Sequence, residues 1–158
     1  MISTMKTKTD SLSSARLHPV KNTDRGLSLQ QLVNQLLATS MPTAFHSKTL
    51  VINEVSRGME LSKDRAGIAP VIRDLLSTVI VNARNGQIHI SADRFRDITT
   101  LYVQERNNYN GYALGYSIRT LEQEAAVHGA NISINGEQQR VVTVAISFPN
   151  NAEGMIWD

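Results

Sequence analysis

The chain has 158 residues, of which 41% are apolar and 19% are charged, and its formal net charge is +2. These values are typical of a single globular domain with one core, and they exclude a chain that is disordered throughout. A net charge this small does not by itself indicate nucleic-acid binding. The absence of cysteine excludes disulfides, thiol catalysis and cysteine-based zinc sites.

Residues 1–26 are rich in Ser, Thr, Lys and Asp and show no periodic apolar pattern. They lack the apolar segment of a secretory signal, and no run in the chain approaches the ~20 apolar residues that cross a bilayer. We expect a cytoplasmic protein with a disordered or extended tail at 1–26, one domain at 27–150 and a short tail at 151–158. The N-terminal tail is basic, so contact with an anionic surface is the alternative to a solvated tail.

The first half of the domain contains three predicted elements: helix Leu27–Thr39, strand Thr49–Val55 and helix Arg65–Ala83. Apolar residues recur at helical spacing in the first helix, and Ser28 is its predicted N-cap. Pro42 is expected to end this region. Asp64 is the predicted N-cap of the long helix, although Pro70 interrupts the helical pattern in its first turns.

The second half contains five predicted elements: strands Gln87–Ala92 and Asp97–Gln104, helix Ala113–Val127, and strands Asn131–Asn135 and Arg140–Phe148. Asn-Gly turns precede the first strand and join the last two, and a hairpin turn is expected at Arg94–Arg96. Gly129 is expected to end the helix as its C′ residue. This order predicts an α+β fold: a two-layer sandwich with a mixed, mostly antiparallel sheet of about five strands and three helices on one face.

Four places along the chain carry short motifs that come in a familiar order. They are Val51–Val55 with Met59–Asp64, then Val71–Ile80, then Asn110–Ile118, and finally His128–Ile134 with Val142–Pro149. Together they resemble the ATP-binding catalytic domain of sensor histidine kinases, which shares its superfamily with gyrase and the heat-shock chaperones. The resemblance covers residues 27–149, and it implies ATP with Mg²⁺ as the cofactor.

In that family an Asn on the main helix helps to hold Mg²⁺, a hard cation that prefers oxygen ligands. The Asn is expected fourteen residues after the helix-opening Asp, and counting from Asp64 leads to Thr78. Asp74 precedes Thr78 by one helical turn and is a further candidate ligand. In the rival alignment Asn82 is the metal ligand. Asp74, Thr78 and Asn82 share one helix face in either case, and a solvated face without metal is the alternative.

The family's next motif is Asp-x-Gly, whose Asp accepts a hydrogen bond from adenine and whose Gly makes room for the base. The corresponding residues here are Glu105 and Asn107, so the carboxylate has a longer arm and the glycine is lost. The family's ATP lid runs over a dozen or more residues after this motif. In this chain only the five residues Arg106–Asn110 separate Glu105 from Gly111. The resemblance therefore implies a degenerate adenine site and a missing lid.

The segment around Gly111, Ala113 and Gly115 resembles the family's glycine-rich segment at a helix start. Free N–H groups and the helix dipole at such a position can bind phosphate. The alternative is that the small residues only allow the loop to turn and the helix to pack against the sheet. Both interpretations are open from the sequence.

We expect a pseudo-ATPase that acts as an interaction module in bacterial two-component-type signalling, with a protein partner and the option of a homodimer. We expect neither a membrane nor a nucleic acid as partner. Two alternatives are an active ATP-binding kinase that modifies a partner's His or Ser in trans, and a binding module unrelated to the family. His18 is followed by Pro19 rather than by an acidic residue, so a phosphoacceptor segment is not predicted, and no histidine pair has metal-ligand spacing.

Overall fold

The computed structural model describes residues 26–151, so the predictions for the two tails lie outside the described residues apart from Gly26 and Asn151. The strands are β1 Leu27–Ser28, β2 Leu50–Asn53, β3 Glu60–Leu61, β4 Gln87–Phe95, β5 Ile98–Glu105, β6 Asn131–Asn135 and β7 Val142–Pro149. The α-helices are α1 Leu29–Leu37, α2 Met41–His46, α3 Ala69–Val81, α4 Gly111–Arg119 and α5 Glu122–Val127, and a 3₁₀ helix spans Lys63–Ile68.

Five strands form one mixed sheet in the order β2-β4-β5-β7-β6. β2 runs parallel to β4 and the other neighbours are antiparallel, while β1 and β3 form a separate two-stranded ribbon. The helices cover one face of this sheet, as the predicted α+β sandwich requires. None of the helices within residues 26–151 is long and apolar enough to cross a membrane.

Buried side chains alternate with partly buried ones along the strands, and this pattern determines which face of the sheet the helices cover. In β7 the side chains of Val142, Val144, Ile146 and Phe148 are buried, and the residues between them are only partly buried. Because successive side chains of a strand point to opposite faces, one face is apolar and the other is polar. The apolar face packs against the buried residues of α1, α3 and α4 in a single core.

The start of the domain follows the predicted helix closely. Ser28 is the N-cap of α1 and its Oγ accepts a hydrogen bond from the Gln31 N–H at 3.3 Å, while Leu29, Val33 and Leu37 are buried. The prediction that Pro42 ends the region was wrong. Pro42 instead lies in the first turn of α2, where its missing N–H has no intrahelical partner to lose.

The two long predicted helices are each divided. The predicted helix Arg65–Ala83 is divided into the 3₁₀ helix and α3, because Pro70 lacks an N–H and its ring collides with the carbonyl four residues earlier. The predicted helix Ala113–Val127 is divided at Thr120, whose hydroxyl donates to the Ser117 carbonyl at 2.6 Å. This local side-chain bond and two short i→i−3 backbone bonds end α4 before α5 begins.

The turns agree with the sequence signals except in one place. Asn85 and Gly136 have positive φ angles of 50° and 86°, as Asn-Gly turns allow. Gly129 has φ 70° and follows α5, as predicted. The β4–β5 hairpin is longer than predicted, because pairing continues to Phe95 opposite Ile98 and the turn falls at Arg96, whose φ is 55°.

A buried arginine joins the 3₁₀ helix to the far end of the sheet. The Arg65 side chain donates from Nε to the Pro149 carbonyl at 3.1 Å and from Nη2 to the His128 carbonyl at 2.6 Å. Its guanidinium also lies 5.8 Å from the centre of the Phe148 ring. Burial lowers the pKa of the Arg65 guanidinium, and the Asp64 carboxylate acts in the opposite direction. The group stays charged at neutral pH, so both carbonyls receive charge-assisted hydrogen bonds.

Replacing this arginine tests its role in stability. Arg65→Ala leaves two carbonyls without their donor, and we expect the free energy of unfolding to fall by about 3 kcal/mol in urea denaturation. Arg57→Ala is the matched control, because Arg57 is exposed. Equal stabilities of the two variants would contradict the assigned role.

Candidate functional site

The residues predicted from the sequence to bind nucleotide lie on α3 and on two elements that contact it. α3 contacts both α4 and β5 on the helical side of the sheet. α3 contributes Asp74, Thr78 and Asn82, the end of β5 contributes Glu105 with the following Asn107, and the start of α4 contributes Gly111, Ala113 and Gly115.

The three polar side chains of α3 form a ladder along one helix face. The Thr78 hydroxyl donates to the Asp74 carbonyl at 2.7 Å, and the Asn82 side-chain amide donates to the Thr78 carbonyl at 2.8 Å. The Asp74 carboxylate lies 3.5 Å from the Arg73 Nε at the surface. Side-chain donors on this face are thus used by the helix's own backbone. Among residues 26–151, no group of three or more His, Asp or Glu side chains could hold a metal ion.

Glu105 lies at the end of β5 with its side chain on the helical face, and only 3% of the residue is exposed. Its Oε1 accepts hydrogen bonds from the backbone N–H groups of Gln87 at 3.3 Å and Asn107 at 2.5 Å. Oε2 is buried and has no partner among the described residues. A Cβ at Gly86 would lie 2.4 Å from Oε2, so the carboxylate is packed directly against the turn between α3 and β4.

Asn107 closes the same turn from the outside. Its side-chain amide donates to the Asn85 carbonyl at 3.0 Å, with the Arg84 carbonyl at 3.5 Å. The Asn107 side chain is therefore bonded to the turn between α3 and β4. Glu105 and Asn107 together bind the α3–β4 turn to the end of β5.

The start of α4 packs against the turn between β6 and β7. A Cβ at Gly111 would lie 1.9 Å from the Glu137 carbonyl oxygen, whereas a Cβ at Gly115 would lie 3.7 Å from the Glu137 side chain. The Asn108 side chain donates to the carbonyls of Glu137 and Gln139 at 3.0 and 2.8 Å. Gly111 is thus required by a close backbone approach and Gly115 is not. Ala113 is partly buried on the same helix.

Three exposed tyrosines lie at the start of α4 and in the connection before it. Tyr109, Tyr112 and Tyr116 are 53%, 70% and 72% exposed. We name them the tyrosine surface. The Arg84 guanidinium lies 5.3 Å from the centre of the Tyr109 ring, and the Tyr112 hydroxyl accepts a hydrogen bond from Gln138 at 2.5 Å. Tyr112 and Tyr116 are spaced i, i+4 and therefore lie on one face of α4, a spacing that the sequence itself displays.

The histidines take no part in this site. His46 is exposed on α2, and the backbone carbonyl of His128 accepts the Arg65 bond described above. His89 lies on the opposite face of the sheet, and His18 lies outside the described residues.

Comparison with solved structures identifies the fold. A catalytic domain of histidine kinase ThkA in a nucleotide-free form superimposes with a TM-score of 0.63 at 17% identity, over 80% of this chain and 95% of that one. Acinetobacter baumannii histidine kinase AdeS gives 0.65 at 14% identity, over 85% of this chain and 73% of that one. The chain has a histidine kinase-like ATPase fold. A structure of ThkA in complex with the response regulator TrrA gives 0.59 at 15% identity, over 80% of this chain and 42% of that one.

The sequence itself gives no such match. No protein-family model matches the chain, and no curated protein matches it. The histidine kinase-like ATPase fold is therefore recognised through its architecture.

The two glycines of α4 allow a direct test of the packing role. Gly111→Ala places a Cβ against the Glu137 carbonyl and should lower the free energy of unfolding by about 2 kcal/mol or more. Gly115→Ala meets only ordinary contacts and removes a glycine from a helix, so stability should stay equal or rise by up to ~1 kcal/mol. Thermal unfolding of both variants measures the difference. Similar melting temperatures would contradict the close approach at Gly111.

Proposed function

We propose that this protein is a histidine kinase-like ATP-binding domain with degenerate nucleotide motifs. It acts as a pseudo-ATPase and as a protein-interaction module in a bacterial two-component-type pathway. The observation that carries this proposal is the connection from β5 to α4, which has five residues and leads directly into a helix start packed against the β6–β7 turn.

The short connection argues against phosphoryl transfer. Enzymes that transfer phosphoryl groups use mobile loops to exclude water and to complete the site. The connection here has no length to spare, because Asn108 in its middle is bonded to two carbonyls of the β6–β7 turn. A segment held in this way does not close over a triphosphate.

The positions that correspond to the nucleotide motifs do not fit ATP with Mg²⁺. The Glu105 carboxylate is buried against Gly86 and bonded through Oε1 to the chain's own amides, so adenine cannot approach it in this arrangement. Asn107 fills the space beside it. Gly111 is in contact with a backbone carbonyl, an acceptor that repels phosphate oxygens. We therefore assign no nucleotide step to this protein.

The tyrosine surface supports a protein partner instead. Tyr and Arg are enriched at the energetic centres of protein interfaces, and three exposed tyrosines with Arg84 and Arg140 nearby form such a composition. ThkA, which shares the fold, has been captured with a response regulator. A signalling protein is thus the partner class that we propose, and a second copy of the chain is the competing partner.

A kinase that acts in trans on a partner is the second candidate function. The ladder of Asp74, Thr78 and Asn82 favours it, because three oxygen-bearing side chains remain on one face of a helix that contacts α4. In this alternative Thr78 or Asn82 holds Mg²⁺.

Calorimetric titration with ATP and Mg²⁺ separates the two functions. The proposal predicts a Kd above ~1 mM, which corresponds to less than ~4 kcal/mol of binding. Asp74→Ala and Thr78→Ala should then leave the heat of titration unchanged. Micromolar binding that either substitution abolishes would establish the alternative and disprove the pseudo-ATPase.

The tyrosine surface is tested with a paired capture experiment. Tyr112→Ser combined with Tyr116→Ser should change stability by no more than ~0.5 kcal/mol, because both side chains are exposed. The original chain and the control Phe95→Ser should both capture a protein from a cell lysate that the double variant does not capture. Recovery is quantified by mass spectrometry. Phe95 is 70% exposed at the opposite end of β4 and makes a matched control. Identical capture by all three proteins would contradict the assigned surface.

A further inference from the structure

The uncovered face of the sheet carries a cavity, on the side away from α3 and α4. The strand register places His89, Gln104 and Thr143 side by side across β4, β5 and β7. Ser91 and Tyr102 are paired in the next row. These side chains, with Glu54 and Arg106, line a cavity of about 320 Å³.

The first charged group of this cavity is the Glu54 carboxylate, which contacts a histidine. His89 Nδ1 lies 3.1 Å from Glu54 Oε1, and only 12% of the His89 side chain is exposed. His89 Nε2 is buried without a partner among the described residues. Glu54 is about half exposed, and its second oxygen makes no hydrogen bond with any described residue. The histidine thus orients a carboxylate that retains hydrogen-bonding capacity.

The second charged group is held in the same manner. Arg106 Nε donates to Gln104 Oε1 at 2.7 Å, and the terminal nitrogens of Arg106 make no hydrogen bond with any described residue. Glu54 is not within ion-pair distance of Arg106, although both line one cavity. Two opposite charges that share a cavity without touching leave a gap for a ligand that satisfies both.

The backbone attaches these two charged residues to different points of β4. The Glu54 N–H donates to the Ile90 carbonyl at 2.7 Å and the Arg106 N–H donates to the Gln87 carbonyl at 2.9 Å. The two attachment points are three residues apart, about 10 Å along β4, and they lie on opposite sides of that strand, because Glu54 follows β2 and Arg106 follows β5. The flexible side chains of Glu54 and Arg106 shorten this span toward the length of a small molecule.

We propose that this cavity binds a small zwitterion of the amino-acid class, with its ammonium group at Glu54 and its carboxylate at Arg106. The guanidinium supplies the parallel donors that a carboxylate prefers. The hydroxyls of Ser91, Tyr102 and Thr143 line the space between, and His89 is a positioning residue for Glu54. The site is independent of the proposed pseudo-ATPase function, because it uses the other face of the sheet.

The experiment is a titration of the full chain with small probe molecules, monitored by NMR. The probes are glycine, β-alanine and 4-aminobutyrate, which increase the separation of the two charges, and acetate and methylammonium, which carry one charge each. At least one zwitterion should shift the backbone resonances around His89 and Gln104 in a saturable way. Each single-charge probe should bind at least tenfold more weakly.

Variants decide whether the observed binding uses this cavity. Glu54→Gln and Arg106→Gln should each weaken zwitterion binding at least tenfold, and His89→Gln should weaken it with little change in binding of acetate. Arg96→Gln, at the β4–β5 turn, is the control and should leave binding unchanged. The proposal is overturned if no zwitterion saturates, if acetate binds equally well, or if Arg106→Gln has no effect.

Discussion

The position of α4 depends on one close approach, between the backbone of Gly111 and the carbonyl oxygen of Glu137. No side chain other than hydrogen fits there, since a Cβ would lie 1.9 Å from that oxygen. The contact fixes where α4 begins, and the bonds of Asn108 to the same turn fix the connection that precedes it. Once both ends are fixed, the five-residue connection has no freedom to move as a separate lid.

The end of β5 is also closely packed, because Glu105 lies directly against Gly86. In the resemblance, a carboxylate and a glycine at this place serve adenine, whereas here Glu105 and Asn107 bind the turn that leads from α3 into β4. Two backbone amides stabilise the buried Glu105 carboxylate through Oε1, while Oε2 has no partner among the described residues. The positions of the two nucleotide motifs have therefore become structural contacts in our proposal, which explains how the fold persists without the ligand.

Much of the fold was predictable because it depends on local patterns. The alternating apolar residues of β7 and the helically spaced apolar residues of α1 predict which side chains are buried. The Asn-Gly pairs predict positive φ angles at the turns. The divided helices were less predictable, since the break at Thr120 depends on a side-chain bond that competes with the helix. The β1–β3 ribbon was missed because two-residue strands have no period to detect.

The candidate sites were predictable only where the family motifs guided the reading. Gly111 and Gly115 look equivalent in sequence, and only the distances to Glu137 separate a required glycine from a tolerated one. The cavity around His89 gave no signal at all, because its side chains come from four distant segments that the strand register brings together. Each segment alone resembles the solvated side of an ordinary strand. Such a sheet face is recognised by opposite charges that line one cavity without touching each other, as Glu54 and Arg106 do.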